Sequence, residues 1–183
     1  MQPGTLEGNE LYLRPLVHED VGAYHRSLMH DEVRRLTGTK TIFSRASIEK
    51  YIEDLPSDSS RLHLLIILKE TNRMVGDIAL QDIDLLNRNS NLRIAIFQEQ
   101  DCGKGFGSES LKLMLNYGFG IMNLHRIELN VYAFNTRAIQ AYEKLGFVRE
   151  GIQREVLYYN YEYHDSITMS LLQHEYRPLS EAK

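Results

Sequence analysis

The chain has one cysteine, Cys102, only four prolines, and no apolar run near the ~18 residues that a membrane-spanning helix requires. A lone cysteine excludes an intrachain disulfide framework and a cysteine-based zinc site within one chain. Seven histidines could still bind metal, but no H-E-x-x-H or comparable pair of spacings occurs, so no metal is expected. Basic charge is scarce as well. The 21 Lys and Arg are outnumbered by 25 Asp and Glu, for a formal charge of −4, and a dedicated nucleic-acid binder needs clustered cations that are missing here. Any anion the chain holds must be held locally. The first residues, "MQPGTLEGNELYLRPL", have no positive region leading into an apolar one, so neither a leader nor a membrane anchor is expected and the cytoplasm is the expected location. No low-complexity segment or internal repeat appears. A composition 43% hydrophobic and 25% charged fits a soluble globular protein, and 183 residues suit one domain spanning positions 1–183 with a core of its own.

Periodicity then divides the chain. "ELYLRPL" (10–16) alternates as a strand, and a helix follows with Asp20 as its expected cap and Ala23, Tyr24 and Leu28 at helical spacing. A second helical region starts near Asp31, and "SRASIEKYIEDL" gives a third, capped by Ser44 or Ser47, with Ile48, Tyr51, Ile52 and Leu55 as its stripe. Three strand-like runs come next, 62–69, 74–83 and 91–98, joined by short turn-forming segments, which predicts an antiparallel meander. A helix bearing Leu111, Met114, Leu115 and Phe119, the strand "RIELNVYA", the helix "NTRAIQAYEKLGF" and a hairpin turning at residues 160–162 complete the order. The expected fold is α/β (α+β), a mixed, mostly antiparallel sheet flanked by helices.

Between the meander and the next helix lies "QDCGKGFGSESL" (100–111), with glycines at 103, 105 and 107. Glycine bares backbone N–H groups to a ligand, and a helix start adds unpaired donors and a positive dipole end, so the stretch can hold phosphate oxygens. Glycine-rich turns before helices also serve packing alone. A Walker loop is excluded because Lys104 is followed by Gly105, and a dinucleotide fingerprint because Ser108 stands where its third glycine belongs. Protein kinases are excluded by the missing V-A-I-K and H-R-D elements.

Gln100-x-x-Gly103-x-Gly105 resembles the pyrophosphate loop of the GNAT acetyltransferases, and "NTRAIQAYEKLGF" resembles that family's second signature, in the same order and at similar spacing. The resemblance runs from "LRPL" to "LLQHEY" and is nearest to the ribosomal-protein N-terminal and spermidine acetyltransferases. It implies the GNAT fold and acetyl-CoA as cosubstrate, its pyrophosphate on the amides of Cys102, Gly103, Lys104, Gly105, Phe106, Gly107 and Ser108. Lys104 could add a charge or be a solvated loop lysine. Ala95, Ile96 and Phe97 correspond to the family's splayed strand, whose backbone pairs with the pantetheine arm and polarises the thioester carbonyl. Asn135 carries over as a pantetheine-binding residue, although capping a helix would also explain it.

Tyr142 matches the family's general acid. A phenol, with a pKa of about 10, stays protonated at neutral pH; the residues alone favour a core tyrosine packing on Ala138 and Leu145, and the acid role comes with the resemblance. No base stands out. Asn130 occupies the position where some relatives carry glutamate, Leu92 aligns with a glutamate of the spermidine enzymes, and Glu128 is set aside as facing away from Asn130. Cys102, near a helix start, could form a reactive thiolate or be an inert loop cysteine. Tyr158, Tyr159, Tyr161 and Tyr163 are strand residues, some of which could line an acceptor groove. The first two helices should wall the acceptor site, and the eight acidic and six basic residues between 19 and 58 do not single out a polycation. The expected activity is acetyl transfer to a primary amine, either a protein N-terminal α-amine or a small amine such as a polyamine. A homodimer is compatible with the resemblance, and a non-catalytic coenzyme A sensor is the competing class.

Overall fold

The computed structural model describes residues 5–176. Residues 1–4, the start of the segment expected to carry no leader, and 177–183 lie outside the described residues. A short β1 (Leu6–Glu7), which the sequence reading lacked, precedes β2 (Leu11–Pro15). Three helices follow, α1 (Val21–Ser27), α2 (Asp31–Thr37) and α3 (Arg45–Asp54), and then the meander β3 (Leu62–Leu68), β4 (Met74–Asp84) and β5 (Asn89–Ile96). Helix α4 (Phe106–Gly120), β6 (Arg126–Tyr132), α5 (Thr136–Lys144), β7 (Val148–Tyr159) and β8 (Glu162–Leu172) complete the described chain.

All eight strands form one sheet in the order β1-β2-β3-β4-β5-β6-β8-β7. Helices cover both faces. Leu64 and Ile66 of β3 pack toward α4, while Leu65 and Ile67 pack toward α1 and α3. Burial on both sides is why this strand reads as a continuous apolar run rather than an alternation. On α4, Leu111, Met114, Leu115 and Phe119 lie on one face and are all buried, each contributing roughly 1.5–3 kcal/mol of transfer free energy. Ser44 caps α3 by accepting from the Ser47 N–H at 3.1 Å. Asp20 does not cap α1. Its carboxylate instead takes both Arg14 nitrogens, at 2.6 and 2.8 Å, and the Val17 N–H at 2.9 Å, because a charged fork outcompetes a lone helix amide.

One pairing differs from all the others. β5 and β6 run parallel, and their ladder is confined to Asn89, Ser90 and Asn91 opposite Arg126, Ile127 and Glu128. Beyond it β5 stays on β4 as far as Ile96, and β6 stays on β8 as far as Tyr132. The two strands therefore part, and the sheet opens in its middle.

Candidate active site

The chain leaves the parted end of β5 at Phe97, whose N–H donates to Val75 O at 2.9 Å, and passes one tight turn before α4. Asp101 ends that turn. It is buried and accepts from Arg73 at 2.7 and 2.8 Å, and those hydrogen bonds hold its carboxyl below the usual aspartate range, which fixes the loop's root. Gly103 and Gly105 then take φ of +76° and +91°, a region costly for any residue with a Cβ. A Cβ on either would meet nothing within 4 Å, so the space beside both is open. The first helical bond of α4 runs from Glu109 N to Gly105 O at 2.9 Å. Ahead of it, the N–H groups of Gly103, Lys104, Gly105, Phe106, Gly107 and Ser108 have no acceptor among the described residues. Consecutive free donors at a helix start, facing open space, suit a diphosphate without a basic patch.

Cys102 departs from expectation in its backbone, while its thiol fits the inert of the two readings. Its N–H is already given to Glu99 O at 2.9 Å, so the row of free amides begins at Gly103. Burial pushes its thiol up, against a smaller lowering by Arg137, and the thiol meets Gln98 O at 3.6 Å; this is a quiet cysteine, not an activated thiolate. Lys104 is half-exposed, with Nζ 3.7 Å from the Asp101 carboxylate.

Backbone direction narrows the strand segment. Antiparallel partners alternate between exchanging hydrogen bonds and turning them outward. Phe97 donates to β4, so Ala95, opposite Asp77, does the same, while Ile94 and Ile96 turn N–H and C=O toward the gap beside β6. The side chains of Ala95 and Phe97 pack in the α1–α3 core. Of the three residues expected to serve the thioester, Ile96 has its backbone free, and it is joined by Ile94.

Helix α5 crosses this opening. Asn135 Oδ1 caps it by accepting from Ala138 N at 3.2 Å, leaving the side-chain amide nitrogen without a described partner, and Gly146 (φ +98°) follows the last turn. Tyr142 is 8% exposed, its ring 5.8 Å from that of Phe147. Burial pushes the phenol up to about 12, with the charge of Arg93 pulling the other way, and its hydroxyl bonds no described residue. Two cavities meet here. One, of about 290 Å³, is walled by the glycine loop, Ile96 and the start of α5, including Arg137. The other, of about 410 Å³, is walled by Asp82, Asn91, Arg93, Asn130 and Gln153. Leu36, Thr37, Ile94, Asn135 and Tyr142 line both.

Other expectations are corrected. Among the first two helices only α2 walls the acceptor side, through Leu36 and Thr37, since α1 buries Val21 and Tyr24 in the core. Glu128 and Asn130, two residues apart on β6, share a face; what removes Glu128 from the chemistry is its ion pair with Arg126 at 2.9 Å and its absence from both cavities. Tyr158, Tyr159, Tyr161 and Tyr163 line neither cavity, because β7 and β8 carry them out to the far hairpin, where Gln153 and Val156 reach the site instead.

Arg93, Asp82 and Arg137 were missed. Arg137 had a signal, a cation in the first turn of a helix, where the dipole disfavours it. So did Arg93, a lone charge inside "NLRIAIFQ". Its Nη1 donates to Asp77 Oδ2 at 3.2 Å. Asp77 is fully buried; burial raises its pKa, but the charge of Arg93 and hydrogen bonds from His63 and Tyr24 outweigh that and hold it ionised.

The chain is similar to known proteins. The family described as "Acetyltransferase (GNAT) domain" matches residues 10–148. The SPbeta prophage-derived uncharacterized N-acetyltransferase YokL of Bacillus subtilis is 28% identical over 170 residues, 92% of this chain and 93% of the relative. Spermidine N(1)-acetyltransferase of Escherichia coli K12 is 29% identical over 164 residues, 90% of this chain and 87% of the relative. Among solved structures, a spermidine N-acetyltransferase from Vibrio cholerae in complex with CoA and spermine superposes with a TM-score of 0.86 at 28% identity, covering 91% of this chain and 98% of that one. A match across most of the sheet and both signature segments is more than a lone glycine motif can produce: the chain belongs to the GNAT family of acetyltransferases and takes acetyl-CoA as its cosubstrate.

Proposed function

We propose that this protein acetylates a primary amine by direct attack on the thioester of acetyl-CoA, with Tyr142 as the general acid. The amides of Gly103 to Ser108 hold the diphosphate, with Lys104 and Arg137 adding charge at the rim. Ile96 and Ile94 pair with the pantetheine arm, and one of their N–H groups faces the thioester oxygen, where negative charge develops. The Asn135 amide adds a donor between the two cavities. In the transfer a C–N bond forms and the C–S bond breaks; Tyr142 gives its proton to the departing sulfur, and the amine loses one to water. No side-chain base is assigned. Asn130 cannot take a proton usefully, and its Oδ1 already accepts from Thr168 at 3.0 Å.

The observation that carries this reading is the unbonded Tyr142 hydroxyl at the junction of the cavity beside the glycine loop and a second, polar cavity. A coenzyme A sensor would need the first cavity but not the second. The relatives named for spermidine support an amine as acceptor. Thiol release from acetyl-CoA, measured against a panel of amines, tests the reading: amine-dependent release supports it, and the same slow background with every amine, despite cofactor binding, would replace it with the sensor.

A further inference from the structure

The acceptor-side cavity carries two charged side chains, Asp82 from β4 and Arg93 from β5; the rest of its lining is neutral. Asp82 sits at the irregularity between β4 and β5 with φ +54°; its carboxylate makes no hydrogen bond or ion pair within 4 Å among the described residues, and the charge of Arg61 acts on it from farther off. Arg93 is already paired with the ionised Asp77 behind the wall, so Asp82 is the one carboxylate the lining offers to an incoming cation. A polyamine brings several ammonium groups, and nothing here balances more than one of them. The guanidinium, offset by Asp77, gives the rest no partner.

Arg93 is held in a way that mere filling of space does not require. Its side chain is 31% exposed, and only Nη1 is bonded, leaving Nε and Nη2 without described partners. Behind it stands a buried relay. Asp77 Oδ2 also accepts from Tyr24 Oη at 2.7 Å and from His63 Nε2 at 2.9 Å, His63 Nδ1 takes the Tyr51 hydroxyl at 2.6 Å, and Tyr51 in turn accepts from Arg61 at 3.3 Å. Asp77 Oδ1 remains unpartnered. Buried ion pairs are a poor route to stability compared with apolar side chains of the same volume, and this one leaves a carboxylate oxygen unsatisfied. What the arrangement does achieve is one orientation of a planar donor fork at the cavity wall.

Resting on the acetyl-transfer reading above, we propose that Arg93 sets acceptor specificity: its free N–H groups receive the carbonyl or carboxylate oxygen of an acceptor whose reactive nitrogen is an α-amine, and its guanidinium gives the further ammonium groups of a polyamine no partner. A free amino acid and a peptide N-terminus share this chemistry, and they differ in the group bonded to the carbonyl carbon, a second oxygen in one and an amide nitrogen in the other.

The test is kcat/KM for thiol release by the full-length protein at saturating acetyl-CoA, with four acceptors: a dipeptide, the free amino acid of the same first residue, butylamine and spermidine. The dipeptide or the amino acid should exceed spermidine by about tenfold or more, the size expected for one charge-assisted hydrogen bond gained. Turnover of the dipeptide alone marks a polypeptide terminus as the source, and turnover of the amino acid alone marks a metabolite; either supports the proposal. Arg93→Met should shrink the preference over butylamine by roughly 10- to 100-fold, mainly through acceptor KM, with the KM for acetyl-CoA unmoved. Should that variant fail to fold, because Asp77 is left buried without its guanidinium, the double variant Arg93→Met with Asp77→Asn removes both charges and is read in the same way. Arg93→Lys, which keeps the charge and loses the fork, should retain rejection of spermidine and lose part of the preference. Spermidine turned over as well as the α-amines, or a preference unchanged in the Arg93 variants, overturns the proposal. Absence of amine-dependent release with all four acceptors overturns the acetyl-transfer reading instead, and this proposal with it.

Discussion

Replacing Tyr142 with phenylalanine removes one oxygen and leaves the ring in place. The ring keeps its contact with Phe147, centroids 5.8 Å apart, and the lost hydroxyl bonds no described residue, so no hydrogen bond of the fold is broken. Stability should change by no more than about 1 kcal/mol, which for a chain of this length is a shift of roughly 2–4 °C in Tm. Catalysis should suffer far more. Loss of a positioned general acid costs on the order of 10²-fold in kcat, or about 2.7 kcal/mol at 1.36 kcal/mol per tenfold. KM for acetyl-CoA should barely move, because the diphosphate amides lie on another element. The pH profile adds an independent check. The active form is the protonated phenol, and burial raises its pKa to about 12, so this group stays competent through neutral and mildly alkaline pH and fails only as pH climbs toward that value. Thiol release at saturating acetyl-CoA, together with a thermal melt of the same sample, measures both arms. Undiminished kcat would refute the acid role; a fall in kcat matched by a Tm loss above ~10 °C would show that the hydroxyl serves the fold.

Two further perturbations probe the frame around that phenol. Gly105→Val places a β-branched side chain at φ +91°, a strain of about 1–3 kcal/mol that the loop can relieve by turning its amides away, so affinity for coenzyme A measured by calorimetry should fall about tenfold or more; unaltered affinity would contradict the amide cradle. Glu150 is held down to about 2, from an ordinary 4.5, first by hydrogen bonds from Arg126 and then by Ser170. A depressed carboxylate stabilises the fold above its ordinary pKa and loses that contribution as pH falls through the folded value. Glu150→Gln should therefore melt below wild type at pH 7, with the gap closing as pH drops from about 4.5 toward 2; a gap independent of pH would contradict the ion pair's role.

Much of the fold was legible because its elements are locally consistent. The meander, the stripe of α4 and the Asn135 cap all arise from short-range patterns, and the hairpin shows in the two alternating runs about residues 160–162, where the structure turns Asn160 and Tyr161 to positive φ. Asp20 misled because its choice between a helix amide and Arg14 is tertiary. The bared backbone of the glycine loop was legible, yet not where its free amides begin, since the Cys102 N–H is consumed by a turn that spacing alone does not reveal. Register decided the rest. Ile94 and Ile96 rather than Ala95 and Phe97 offer free backbone, which depends on how β5 sits against β4. Arg93 and Asp82 became site residues only when the parting of β5 from β6 opened a second cavity beside them.

Titration of the purified chain with coenzyme A in a calorimeter tests the cradle of free amides most directly. One binding event per chain is predicted, weakened by the Gly105→Val substitution and insensitive to Tyr142→Phe. No detectable heat with either coenzyme A or its acetyl ester would contradict the account at its root.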